Sequence, residues 1–78
     1  MQIYSIHYYD ALRRLEDGKA HKVEFWKLQN GEIVQLEDAV CISQNWKART
    51  HNLRLPNGQV RRLRNITIRK IDDMEVYL

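Results

Sequence analysis

The chain has 78 residues, 44% apolar and 29% charged, with 13 Lys and Arg against 10 Asp and Glu for a net charge of +3. That is the composition of a folded domain, not a disordered chain, and the length points to one domain over 1–78, with a small core and little room for a deep active-site cleft. The single Cys41 excludes an internal disulfide and a cysteine-based zinc site, and no apolar run reaches the roughly 18 residues of a membrane span.

The opening segment "MQIYSIHYYDALRR" lacks the basic-then-apolar build of a secretory signal, so the expected location is the reducing cytoplasm, with no membrane partner. Small cores are commonly supplemented by association, which makes a homo-oligomer, most simply a dimer, the expected state.

In chain order, "SIHYYDALRRLEDG" predicts a short helix with Tyr4, Tyr8, Ala11, Leu12 and Leu15 on one face. Ser5 or Asp10 would cap its start and Gly18 would stop it. Asp10–Arg14 and Arg13–Asp17 have the i,i+4 spacing of helix ion pairs. The segment "QIYSI" also suits a short edge strand, so residues 2–7 are open between strand and helix.

Past Gly18 the pattern turns β. Asn30-Gly31 separates "HKVEFWKL" from "EIVQLEDAVCIS", and Asn57-Gly58 separates "HNLRLP" from "QVRRLRNITIRKI". Asn-Gly between apolar runs predicts two hairpins with type I′ turns. The hairpins align at an offset of 27 residues, with Trp26-Lys27-Leu28 matching Leu53-Arg54-Leu55. Ile33 and Leu36 are three apart, as are Val60 and Leu63, and Ile68 and Ile71. A strand alternates with period two, so bulges are expected at Val34-Gln35, Arg61-Arg62 and Arg69-Lys70. Asp72-Asp73 would turn the chain into a last strand, "MEVYL", with Lys70 opposite Glu75.

The expected fold is mainly β (α+β): a short N-terminal helix, then about five bent antiparallel strands forming a small SH3/Sm-like barrel. A helix ending "ALRR", a strand, Asn-Gly and a bent strand, over residues 8–40, resemble the Sm-like fold in element order. The glycine-bearing signature of the second Sm motif has no counterpart here.

Charge is unevenly placed. Residues 1–45 carry five Lys and Arg against seven acids, whereas residues 46–78 carry eight against three. All eight (Lys47, Arg49, Arg54, Arg61, Arg62, Arg64, Arg69 and Lys70) fall between Trp46 and Ile71, a stretch without one acid. Type I′ pairing would set Arg54 opposite Arg61 and His51 near Arg64. Like charges facing each other on a sheet repel, which an intervening anion would relieve, and the planar guanidinium suits phosphate or carboxylate. These eight cations, with Trp46 and Tyr77 as stacking groups, form a candidate nucleic-acid or anion-binding surface.

The bland alternative is a solvated strand face. A third reading pairs the strip with Glu32, Glu37 and Asp38 of a second copy. His7, His21 and His51 lack metal-ligand spacing, and Cys41 in "AVCIS" reads as a small core residue. No catalytic motif, cofactor loop or metal cluster is recognisable. The expectation is a non-enzymatic binding module for nucleic-acid backbone. The alternative is a protein-interaction or self-assembling module, a size that would also suit a phage or mobile-element accessory protein.

Overall fold

The structure, a computed structural model, describes residues 4–78. Strand β1 is Ser5–His7, followed directly by helix α1, Tyr8–Leu15. Of the segment open between strand and helix, Ser5–His7 is strand, so the helix begins at Tyr8 and not at Ser5, while Gln2 and Ile3 lie outside the described residues. Ala11, Leu12 and Leu15 are fully buried, as their spacing requires. Tyr8 packs partly buried against that core, but Tyr4 precedes the helix and is exposed. The cap is neither Ser5 nor Asp10: His7 Nδ1 accepts from the Tyr9 amide at 3.3 Å. Nor do the expected helix ion pairs describe where the charges go. Arg14 Nε reaches Asp72 Oδ2 at 3.0 Å, and Asp17 Oδ1 meets His21 Nε2 at 2.8 Å.

Six further strands follow: β2 (Ala20–Trp26), β3 (Ile33–Asn45), β4 (Thr50–Arg54), β5 (Val60–Arg64), β6 (Ile68–Ile71) and β7 (Met74–Tyr77), with a 3₁₀ turn at Asn65–Thr67 between β5 and β6. They form one seven-stranded sheet in the order β1-β7-β6-β2-β3-β4-β5. This corrects two expectations: there are seven strands instead of about five, and the sheet is not closed into a barrel. It curls nevertheless. Leu63 on β5 and Ile68 and Ile71 on β6, four places apart in the sheet order, share one core with Val23, Leu36, Leu53 and the buried face of α1. All pairings are antiparallel except β1 with β7.

Both Asn-Gly hairpins form, but neither turn is a two-residue type I′. In the first, the Lys27 amide bonds the Glu32 carbonyl at 2.8 Å, enclosing four residues; in the second, the Leu55 amide bonds the Gln59 carbonyl at 2.8 Å, enclosing three. Only the glycines are left-handed, at φ +71 for Gly31 and +87 for Gly58. The asparagines instead accept from the amide two residues on, Glu32 at 2.9 Å and Gln59 at 3.0 Å, as side-chain mimics of a backbone turn. The longer loop shifts the register by one. Arg54 faces Val60 and Leu53 faces Arg61, while His51 faces Leu63 and Thr50 faces Arg64. The expected Arg54–Arg61 and His51–Arg64 juxtapositions are thereby removed.

The type I′ geometry appears at the Asp-Asp turn. Asp72 and Asp73 have φ of +49 and +65, and Ile71 pairs with Met74 and Lys70 with Glu75, as expected. The bulge at Arg69-Lys70 is also present, where β6 runs one residue longer than β2 between Ile68 and Lys70. The bulges at Val34-Gln35 and Arg61-Arg62 are not, because those pairings run without a break. Such bulges would be needed only if Ile33 and Val60 faced the core, and both are exposed. Strand β3 bends elsewhere, at Glu37-Asp38 opposite β2, with Asp38 at φ +50, and at Ile42 opposite β4.

Candidate functional site

The open seam of the sheet is where the basic residues gather. Among the described residues β5 pairs with β4 alone, leaving its second edge free. Beside that edge lies a cleft of about 540 Å³, lined by Phe25, Trp26, Lys27, Leu28, Gln29, Val34, Thr67 and the three arginines Arg61, Arg62 and Arg64. Four of its lining residues are cations and none is an acid. Alternation explains how β5 contributes: Arg62 and Arg64 share one face of the strand and Arg61 takes the other. Among the described residues, Arg61, Arg62 and Arg64 form no ion pair, whereas Lys27 Nζ has Glu32 at 3.8 Å.

The rest of the basic stretch is divided. Arg69 is bound to Glu24 and lies over the Trp26 ring, 5.9 Å from its centroid. Lys70 faces Glu75 and lines a small mixed-charge pocket with Lys22, Glu24 and Asp73. Arg54 ends β4 and is exposed, as is Lys47 on the β3–β4 turn. The eight cations are therefore not one strip. Arg61, Arg62 and Arg64 are brought together, Arg69 and Lys70 are set among acids, and Trp46 and Arg49 belong to a separate cavity.

That second cavity, about 380 Å³, is lined by Tyr8, Tyr9, Trp46, Arg49 and Ile66, together with His7, Leu12, Asn65 and Leu78. Burial pushes the Tyr8 hydroxyl above its ordinary pKa, Tyr9 adds to this, and the Arg49 charge opposes it. Tyr77, the other stacking group expected, sits edge-on to His7 at 5.5 Å.

The histidines are structural ties. His51 is fully buried, with Nδ1 at 2.6 Å from Asn65 Oδ1 and Nε2 at 3.2 Å from Glu16 Oε1. His21 joins Asp72 at 2.6 Å to Asp17 at 2.8 Å. Burial acts to raise the Asp72 carboxyl, but hydrogen bonds from Arg14, His21 and the Lys22 amide outweigh it and hold the group below the usual carboxylate range. Cys41 is half-buried, its thiol donates to the Ser43 carbonyl, and burial raises its pKa. No group of three or more potential metal ligands occurs among the described residues, and none of their helices is long and apolar enough to cross a membrane.

Set against protein-family models, curated proteins and solved structures, the chain matches none. The contributions of Phe25, Trp26, Lys27 and Thr67 to the cleft, and of Tyr8, Tyr9 and Ile66 to the second cavity, were missed by sequence reasoning. They arrive from segments far apart in the chain, and no local pattern announces the meeting.

Proposed function

We propose that the protein is a non-enzymatic binding module that holds the phosphate backbone of nucleic acid in the cleft beside β5. One observation carries this reading: Lys27, Arg61, Arg62 and Arg64 line one concavity that no acid enters. Guanidinium groups that have no protein counter-charge are free to fork onto phosphate oxygens. Trp26, 42% exposed at the same cleft, offers an aromatic face for an unpaired base.

A mobility shift with single- and double-stranded oligonucleotides across a salt series tests it. Four phosphate contacts give a slope of log K against log salt of about −2.8 on a single strand and about −3.6 on a duplex. Sequence preference is weak, because backbone contacts position without specifying. Failure of the wild type to shift any oligonucleotide at low salt overturns the reading.

A second reading, protein interaction, is favoured by the free edge of β5 and by exposed Trp26, Leu28, Ile33 and Val60. An acidic extended segment could add to that edge as a strand. A second copy added antiparallel through β5 would bring arginines against arginines, so self-association would use the exposed apolar residues instead. Light scattering at tens of micromolar separates a dimer from a monomer.

A further inference from the structure

The cavity on the other side of the 3₁₀ turn has features that backbone binding leaves unused. Thr67 and the preceding Arg64 line the cleft beside β5, whereas Asn65 and Ile66 line the second cavity. The two concavities therefore flank one three-residue turn, Asn65–Thr67.

The second cavity is built from rings whose positions are fixed and whose surfaces are open. Trp46 is 48% exposed, yet its ring stands edge-to-face on His51 at 5.6 Å. His51 cannot yield, since it is fully buried and bonded through both nitrogens. Tyr9 is 59% exposed and is braced by Tyr8 at 5.2 Å and by His7 at 5.8 Å. Rings held this way lose little freedom when another flat ring covers them.

A cation completes the cavity. Arg49 lines it with no ion pair among the described residues, and it sits at φ +58 in the left-handed region that favours glycine. Its carbonyl accepts from the Asn65 amide at 2.9 Å, a bond any residue could make. That bond does not depend on the side chain, whose charge instead acts on the Tyr8 hydroxyl in the same cavity.

We propose that this cavity, formed by Tyr8, Tyr9, Trp46 and Arg49, is a stacking pocket for an unpaired nucleobase, and that the protein takes a single strand whose phosphates lie beside β5. The proposal rests on the backbone-binding reading and extends it. Flat rings beside an uncompensated cation match a nucleotide, which presents a π face and an anion together. The cavity volume of about 380 Å³ is within the range of small-ligand sites. A duplex keeps its bases stacked inside and cannot fill the pocket, so the pocket selects single strands.

Nuclear magnetic resonance separates this proposal from the reading beneath it. The chain has two tryptophans, so two indole N–H signals, assignable with Trp46→Phe. A single-stranded oligonucleotide of about 10 residues should move both signals, and a duplex should move that of Trp26 alone. A single strand that moves only Trp26 overturns the pocket and leaves backbone binding intact. If no oligonucleotide binds, the backbone reading fails, and adenosine monophosphate at millimolar concentration tests the pocket by itself. A saturable shift of the Trp46 signal then supports it, and none overturns it.

Variants sharpen the result. Tyr9→Ala should weaken single-strand binding by about 5- to 150-fold and leave duplex binding unchanged. An equal loss for both strands, or for neither, overturns the proposal. Arg49→Gly relieves the left-handed backbone, so its unfolding midpoint should hold or rise while single-strand affinity falls. Unchanged affinity would return Arg49 to the solvated surface.

Discussion

The first hairpin lies in the middle of the sheet, with β2 between β6 and β3 and β3 between β2 and β4; the second ends it, with β5 paired on one side only. Their charges follow their places. In the first, Lys22 is matched by Asp73, Lys27 approaches Glu32, and Glu24 takes Arg69 from the neighbouring strand β6. In the second, Arg54, Arg61, Arg62 and Arg64 have no acidic partner among the described residues. Two segments with the same turn signal and the same apolar spacing thus become a scaffold and an open edge. Hairpin grammar builds the turn, while neighbours in the sheet decide whether a cation is compensated or available. Cations on a free edge also oppose unwanted strand pairing, and under the proposed function the same cations would hold an anion.

Charge reversal should break the comparison most severely. Arg61→Glu with Arg64→Glu should lower oligonucleotide affinity by about 100-fold or more and flatten the salt slope by roughly 2. Both side chains are exposed, so the unfolding midpoint should stay near that of the wild type. Lys22→Ala, in the scaffold hairpin, should leave binding unchanged. Fluorescence anisotropy of a labelled oligonucleotide reads both, and equal losses would mean that net charge alone, not the cleft, governs association.

Next in size is the tie under the second hairpin. His51→Ala removes a fully buried ring and orphans Asn65 and Glu16. Cavity and lost hydrogen bonds together should cost about 3 kcal/mol. His21→Ala, beneath the first hairpin and slightly less buried, should cost about 2 kcal/mol. Urea unfolding checks both. A cost below about 1 kcal/mol at His51 would mean that Asn65 and Glu16 find water instead.

Some of this was legible in the residues. The Asp72-Asp73 turn and the Lys70–Glu75 pairing could be counted directly, because a two-residue turn leaves one register. The buried face of α1 followed from the spacing of Ala11, Leu12 and Leu15. The Asn57-Gly58 register was misread although Pro56 carried the correction. A two-residue turn would have asked residue 56 for an amide hydrogen that proline lacks. The three-residue loop moves that duty to Leu55, whose amide bonds Gln59, and leaves Pro56 as the fixed-φ corner it favours. The site was half legible. Eight cations could be seen, but not which were free, since Glu24 lies 45 residues from Arg69. Lys27 enters the cleft from the other hairpin, and only the curl of the sheet brings it there.

The glycines offer a smaller and more even test. A side chain at Gly31 or Gly58 meets nothing within 4 Å, so alanine there feels only the left-handed backbone. Gly31→Ala and Gly58→Ala should each cost about 1 kcal/mol. Equal costs, measured by thermal unfolding, would show that the two turns contribute alike although one hairpin is central and the other at the edge. A much larger cost at Gly31 would mean that the central hairpin carries the turn's strain into the core.

The smallest expected effect comes with acid, and it falls on the scaffold side. Asp72 is held below the usual carboxylate range by Arg14, His21 and the Lys22 amide, against burial. Asp17 is lowered first by the Lys19 amide and then by His21. A carboxyl whose folded-state pKa is depressed binds its proton more readily in the unfolded chain. Its contribution is therefore fully present above the unfolded value of about 3.9 and is lost as the pH falls through the lower folded value. Stability should be insensitive to these two groups from neutrality down to about pH 5, then decline on the acid side. Asp72→Asn should lower stability at neutral pH and flatten that decline, since the amide has no proton to take up. Its left-handed position suits asparagine as well as aspartate, so the turn itself should survive. The check is the urea midpoint of wild type and variant at pH 6 and at pH 3. An identical drop in both proteins would remove Asp72 from the acid response and leave the first hairpin's stability to packing alone.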